Sequence, residues 1–271
     1  MTLHEKLKGI PKIYYFNLDN RLDRREYMES QFAKWGITNF ERVSGTKYLA
    51  SNIEDWLHLV NGNIYLNGTA PEVTANAMTH IEFFNWWLEN TTDYFLLIME
   101  DDCDLNLIEY WHFDWKYLIK HIPYDWDCIQ LGYESQLQIN FFLSPKQSLR
   151  SYFGPCLLNR PYVQKLVNLH YKNGYFLFDQ QVNNWQLLIE GGSTTVDYFI
   201  AENGRTYCLP LITVNNDLGS YEDNRPHYIE HHIACRDLYY DWWQNERDNF
   251  SLEDFFVYGK PYDNEMIKIV S

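Results

Sequence analysis

The chain has 271 residues, 46% of them hydrophobic, and carries 37 acids against 22 lysines and arginines, a formal charge of -15. It is long enough to bury a sizeable core, and its composition excludes a disordered chain. The acidic balance counts against nonspecific binding of nucleic acid and against docking on anionic lipid.

In chain order, PKIYYFNLDN (11–20) predicts a short buried strand, opened by Pro11 and closed by the turn formers Asn17, Asp19 and Asn20. RLDRREYMESQFAKWG spaces Leu22, Met28, Phe32 and Trp35 helically and stops on Gly36. ITNFERV predicts a second strand and NIEDWLHLV (52–60) a helix. PEVTANAMTHIEFFNWWLEN (71–90) predicts a helix, with Pro71 at its first position and Ala77, Ile81, Phe84 and Leu88 on one face. YFLLIM (94–99) predicts a buried strand, IEYWHFDWKYLIKHI (108–122) a helix, and DWDCIQLG another strand. SYFGPCLLN (151–159) reads as a strand, followed by helices over RPYVQKLVNLHYKNG (160–174) and FLFDQQVNNWQLLIEG (176–191). After RTYCLPLITVNND the tail is polar and aromatic, and LYYDWWQNERDNF predicts a helix that packs its rings on the core. Strands alternating with helices predict an α/β fold around mainly parallel strands, with the less regular second half making the sheet mixed.

The stretch YFLLIMEDDCD places Glu100, Asp101, Asp102 and Asp104 directly after an apolar run. Carboxylates so close repel one another, and burying them without a partner is costly. In an open α/β sheet this is also the edge where ligands bind. An extended backbone would put Glu100 and Asp102 on one face and Asp101 on the other. Two readings follow. The acids are a solvated turn, or a positive group sits among them; two such oxygens suit a hard divalent cation with sites left for phosphates.

Five cysteines, at 103, 128, 156, 208 and 235, contain no C-x-x-C pair, which predicts free thiols in a reducing compartment. No apolar N-terminal segment and no run near the ~18 residues of a membrane span are visible. The expectation is a soluble, cytoplasmic protein with no transmembrane segment.

Several of these segments, taken in order, resemble glycosyltransferase family 25, the lipooligosaccharide and collagen galactosyltransferases. They are IYYFNLDNRLDRREYM, MTHIEFFNWW, LLIMEDD, DCIQLG, SYFGPCLLNRPYVQKLV, FDQQV and CLPLITVNND, which cover roughly residues 11 to 220. Thr79 stands where the family has serine, and Arg160 with Pro161 where it has a pair of small residues. The resemblance implies a GT-A-like fold in a single domain over 1–271. A Rossmann-like nucleotide-binding half would run over about 11–135, an acceptor-side half over 136–235, and an aromatic tail over 236–271. It implies a metal-dependent inverting enzyme that moves galactose or glucose from a UDP-sugar to a hydroxyl of a glycan, lipooligosaccharide or hydroxylysine-type acceptor, with Mn2+ or Mg2+. The alternative is a noncatalytic carbohydrate-binding protein on the same fold.

The resemblance also assigns roles to residues. Asp102, with Asp104 or Glu100, would hold the metal and Asp101 the ribose or sugar. A further metal ligand would come late in the chain, where His227, His231 and His232 are candidates by position only, unless they are surface histidines. Asn17 and Leu18 would meet the uridine, unless Asn17 only caps its turn. Arg21, Arg24 and Arg25 would hold the diphosphate at a helix start, or pair with Asp23, Glu26 or Glu29. Cations there oppose the helix dipole, so at least one should have a specific partner. His80 matches the family histidine and belongs either in the cleft or hydrogen-bonded in the core. Asp179 is either the general base or the N-cap of the helix that follows it.

Overall fold

The computed structural model describes residues 3–61, 71–132, 134–135, 138–146, 151–152, 154–178, 196–219, 226–256 and 267–268. Seven strands form its main sheet: β1 (Ile13–Asn17), β2 (Phe40–Ser44), β3 (Phe95–Glu100), β4 (Cys128–Gln130), β5 (Ser144–Pro145), β6 (Cys156–Asn159) and β7 (Thr206–Cys208). Their order is β2-β1-β3-β6-β4-β7-β5. β1 runs parallel to both β2 and β3, with Ile13 opposite Phe40 on one side and Leu97 on the other. β6 is antiparallel to β3 and β4, β7 is parallel to β4, and β5 is antiparallel to β7. The sheet is therefore mixed.

Side-chain alternation divides the core in two. Ile13, Tyr15, Leu97 and Met99 point to one face, where they meet Met28, Phe32 and Trp35 of helix α1 (Leu22–Trp35). Tyr14, Phe16, Leu96 and Ile98 point to the other, where they meet Ala77, Met78, Ile81 and Phe84 of helix α2 (Pro71–Asn90). This is the period-two rule of strands meeting the 3.6-residue period of helices. α1 ends on Gly36, whose left-handed backbone (φ 66°) lets its N–H close on Phe32 and Ala33. The chain goes from β1 to β2 on one side and then back past β1 to β3, so a topological switch point lies between β1 and β3.

Four predicted helices and one predicted strand differ from the structure. Residues 108–122 split into a 3-10 turn, Asn106–Tyr110, and a short helix α3, Trp115–His121. Asp114 starts α3 by accepting a hydrogen bond from the Tyr117 N–H at 2.7 Å, while Trp111 and Phe113 are buried in the break. Helix α4 (Arg160–His170) stops before Asn173 and Gly174, whose positive φ angles turn a small hairpin between Tyr171–Lys172 and Tyr175–Leu177. Phe176 and Leu177, assigned to a following helix, thus belong to a strand. Over 52–60 only Ile53–Trp56 is α-helical, flanked by 3-10 turns. The strand predicted over 151–159 is broken into Ser151–Tyr152 and β6.

The late helix α5 (Pro226–Asp241) runs on into a π turn, and Tyr239, Trp242 and Trp243 are buried in the α1-side core. The tail rings pack inward, as their spacing predicted. All five cysteines are buried free thiols. Among the described residues no helix is long and apolar enough to cross a membrane.

Candidate functional site

A cleft of ≈ 420 Å³ opens at the carboxyl ends of β1 and β3, at the switch point. Its floor is Phe16, Asn17 and Leu18 from the end of β1 and Glu100, Asp101 and Asp102 from the end of β3. One wall is the start of α1, with Arg21 and Arg24. The other is α2, with Glu72, Ala75, Asn76 and Thr79, and the segment Tyr48–Ser51 closes the rim.

The chain does not stay extended past Glu100. It turns at Asp101 and Asp102, so all three acids line the cleft instead of alternating across the sheet. Asp101 is buried with both oxygens engaged: Oδ1 accepts from Arg24 Nη1 at 2.6 Å and Oδ2 from Asn17 Nδ2 at 2.7 Å. The same Arg24 Nη1 lies 3.2 Å from Asp102 Oδ2, and Nη2 donates to the Gly219 carbonyl. Burial works against the Arg24 cation, but Asp102 and Asp101 outweigh it and its pKa is raised. The positive group among the crowded acids is therefore an arginine of this chain.

The three arginines at the start of α1 separate cleanly. Arg25 is an exposed partner of Glu29 at 2.8 Å, one turn along its own helix. Arg21 pairs with Asp23 at 2.8 Å and donates to the Leu218 carbonyl at 2.6 Å, while still lining the cleft. Arg24 is the one with a specific buried partner, Asp101, and the half-buried Asp102 beside it.

Asn17 is a supporting residue. It is 3% exposed, its Nδ2 donates to Asp101 and to the Arg21 carbonyl at 3.1 Å, and its Oδ1 accepts from Arg42 at 3.2 Å. With its amide used in this way, it orients Asp101 and the start of α1. Leu18 reaches the cleft beside Gly45, where an added Cβ would stand 3.2 Å from the leucine side chain.

His80 is not a cleft residue. It is fully buried, stacked on Phe16 at 3.8 Å between ring centroids, and its Nδ1 lies 3.0 Å from the Asn76 carbonyl one turn back. Burial lowers its pKa to about 4, so it is a neutral core ring at physiological pH. The face of α2 that does reach the cleft is Glu72, Ala75, Asn76 and Thr79, none of which stood out in the sequence as a site residue. Its signal was the three- and four-residue spacing of small and polar side chains opposite the apolar stripe.

Asp104 also lies outside the cleft lining. Its Oδ1 accepts from the Asn106 N–H at 2.8 Å and its Oδ2 from the Tyr240 hydroxyl at 2.7 Å, tying the acidic turn to α5. Asp179 and the side chain of His227 lie outside the described residues.

The donor set can be tested against Mn2+ or Mg2+. Among the described residues no three His, Cys, Asp or Glu side chains converge as metal ligands. Both Asp101 oxygens are taken, Asp104 is turned away, and a guanidinium lies against Asp102. Asp101, Asp102 and Asp104, engaged in this way, do not fit a protein-held divalent ion.

Fold and cleft define an α/β protein with a site of small-molecule size at the switch point of its sheet. No protein-family profile matches the chain, and no curated protein does. Among solved structures it is similar to HddC from Yersinia pseudotuberculosis complexed with GMP-PN. The identity is 12% over 84% of this chain and 100% of that one, with a TM-score of 0.34. A likeness at that score is too distant to bear on chemistry.

Proposed function

We propose that the cleft binds a nucleotide sugar and that the protein is an inverting hexosyltransferase of GT-A-like architecture, using a UDP-sugar as donor. The observation that carries this reading is the convergence of Glu100, Asp101 and Asp102 with Arg21 and Arg24 in a cleft at the β1/β3 switch point. Carboxylates suit ribose and sugar hydroxyls, guanidinium groups suit a diphosphate, and the volume suits a ligand of that size. The order of segments shared with family 25 supports the same reading.

In the proposed reaction an acceptor hydroxyl oxygen bonds to the anomeric carbon of the donor sugar. The bond from that carbon to the phosphate oxygen breaks, its electron pair leaving with UDP, and the hydroxyl proton passes to a general base. The resemblance gives that base as Asp179. The protein supplies cations where the leaving group gathers charge and holds the two reactants in line.

The test is a screen of nucleotide sugars for UDP release with added hydroxyl acceptors, with Asp102→Ala as the control. Acceptor-dependent release that falls by at least about tenfold in the variant supports the reading. Glycan binding without turnover of any donor, unchanged in Asp102→Ala, favours the noncatalytic carbohydrate-binding alternative.

A further inference from the structure

From the mismatch between the acidic turn and a divalent ion, we infer that Arg24 is the built-in counter-cation of this site. The cleft then takes the diphosphate of its ligand on guanidinium groups without a metal. This rests on the nucleotide-sugar reading above and changes its electrostatics.

Four acids line the cleft, Glu72, Glu100, Asp101 and Asp102, against two arginines. A diphosphate entering such a field needs fixed positive charge close by. A metal would provide it by recruiting oxygens from Asp101 and Asp102. Those carboxylates already converge on one nitrogen, Arg24 Nη1, at 2.6 and 3.2 Å. Seating a cation there would place two like charges in a space held by one and would break a partly buried ion pair.

Arg24 is also held as a preorganised donor. Its guanidinium has five N–H groups in a plane. Nη1 faces the two acids, Nη2 donates to the Gly219 carbonyl, and Nε, itself buried, meets no hydrogen-bond acceptor among the described residues. Asp101 is in turn fixed by Asn17, and Asn17 by Arg42. The guanidinium thus has donor capacity left and a rigid seat. Arg21, three residues earlier on the same cleft wall, adds a second guanidinium, whose Nε and Nη2 are paired with Asp23. Guanidinium groups bind phosphate oxygens in pairs, which suits a group that must be oriented as well as neutralised.

The test is calorimetric titration of UDP into the full chain, once in excess EDTA and once with MnCl2, with MnCl2 alone as a third arm. The expected result is UDP binding in EDTA within about threefold of that with manganese, and no heat from manganese alone. Arg24→Gln should weaken UDP binding in EDTA by about tenfold or more, the loss of charge-assisted contacts. Manganese should restore part of it, because the variant releases Asp101 and Asp102 as ligands. The wild-type arms decide the matter even if the variant does not fold. Binding that needs manganese, or is strengthened by it more than about tenfold, overturns the inference but leaves the nucleotide-sugar reading standing. Absence of UDP binding in every arm overturns both.

Discussion

Replacing His80 with glutamine should remove a defined share of the acid sensitivity of the fold. The ring is fully buried against Phe16, and burial holds its pKa at about 4. In the unfolded chain a histidine titrates at about 6.5. Below that value the unfolded chain takes up a proton that the folded ring refuses, so stability falls as pH drops from about 6.5 toward 4. Linkage between these two values gives a loss of ~1.4 kcal/mol at about pH 5.5, rising to ~3 kcal/mol near pH 4. The measurement belongs at the higher of these values, because the sequence pI is ≈ 4.9 and the chain is still net negative there. His112, whose pKa burial and Arg247 also lower to about 4, and His170, lowered by burial, act in the same direction. Wild type therefore loses more than the His80 share alone. Glutamine carries no charge at any pH and can still donate to the Asn76 carbonyl. Urea unfolding of both proteins at about pH 7.5 and 5.5 isolates the difference: the variant should lose ~1.4 kcal/mol less than wild type between them. Equal losses would show that the ring does not sit neutral in the core.

Three further substitutions test the ion pairs and packing of the fold. Asp101→Ala leaves Arg24 and Asn17 without their shared acceptor, and should cost ~3–5 kcal/mol in urea unfolding, the scale for breaking a buried pair. Arg25→Ala, which removes the exposed partner of Glu29 and leaves Glu29 to the Tyr15 hydroxyl, should leave the urea midpoint unchanged in the same assay. Arg160→Ala removes donors to the carbonyls of Leu88 at 2.7 Å, Thr91 at 2.9 Å and Asp93 at 3.0 Å, and a cation lying over the Trp87 ring. It should cost ~2–3 kcal/mol and lower the melting temperature by about 5–10 °C, since those donors close the C-terminal end of α2.

Local pattern carried much of the architecture. β1, α1, α2 and β3 are regular elements with apolar residues at the proper period, and their limits could be read from Pro11, Gly36 and Pro71. The misread elements are those decided by tertiary contacts. Residues 108–122 have helical spacing throughout, yet burial of Trp111 and Phe113 and the cap at Asp114 interrupt it. Asn173 and Gly174 extend a helical pattern on paper, but their left-handed backbone ends it in space. The site shows the same division. That the acids gather at the end of a strand was visible in YFLLIMEDDCD. Which cation neutralises them was not, because Arg24 and Asp101 are 77 positions apart and only the β1/β3 pairing brings them together. His80 and Asp104 have the residue types of a binding site, but one is packed in the core and the other anchors α5.

The five sequestered sulfhydryls give this protein internal reporters of its own opening. Burial, with Asp102 beside it, holds the Cys103 thiol far above its ordinary range, and burial pushes Cys208 to about 12. Neither forms the reactive thiolate while covered. An alkylating reagent should therefore modify each position at the rate at which its surroundings open. Cys103 lies directly behind the acidic turn, whereas Cys128, Cys156 and Cys208 sit on three adjacent strands of the sheet. Comparing their labelling rates by mass spectrometry would separate loosening of the cleft floor from global unfolding, with no residue altered.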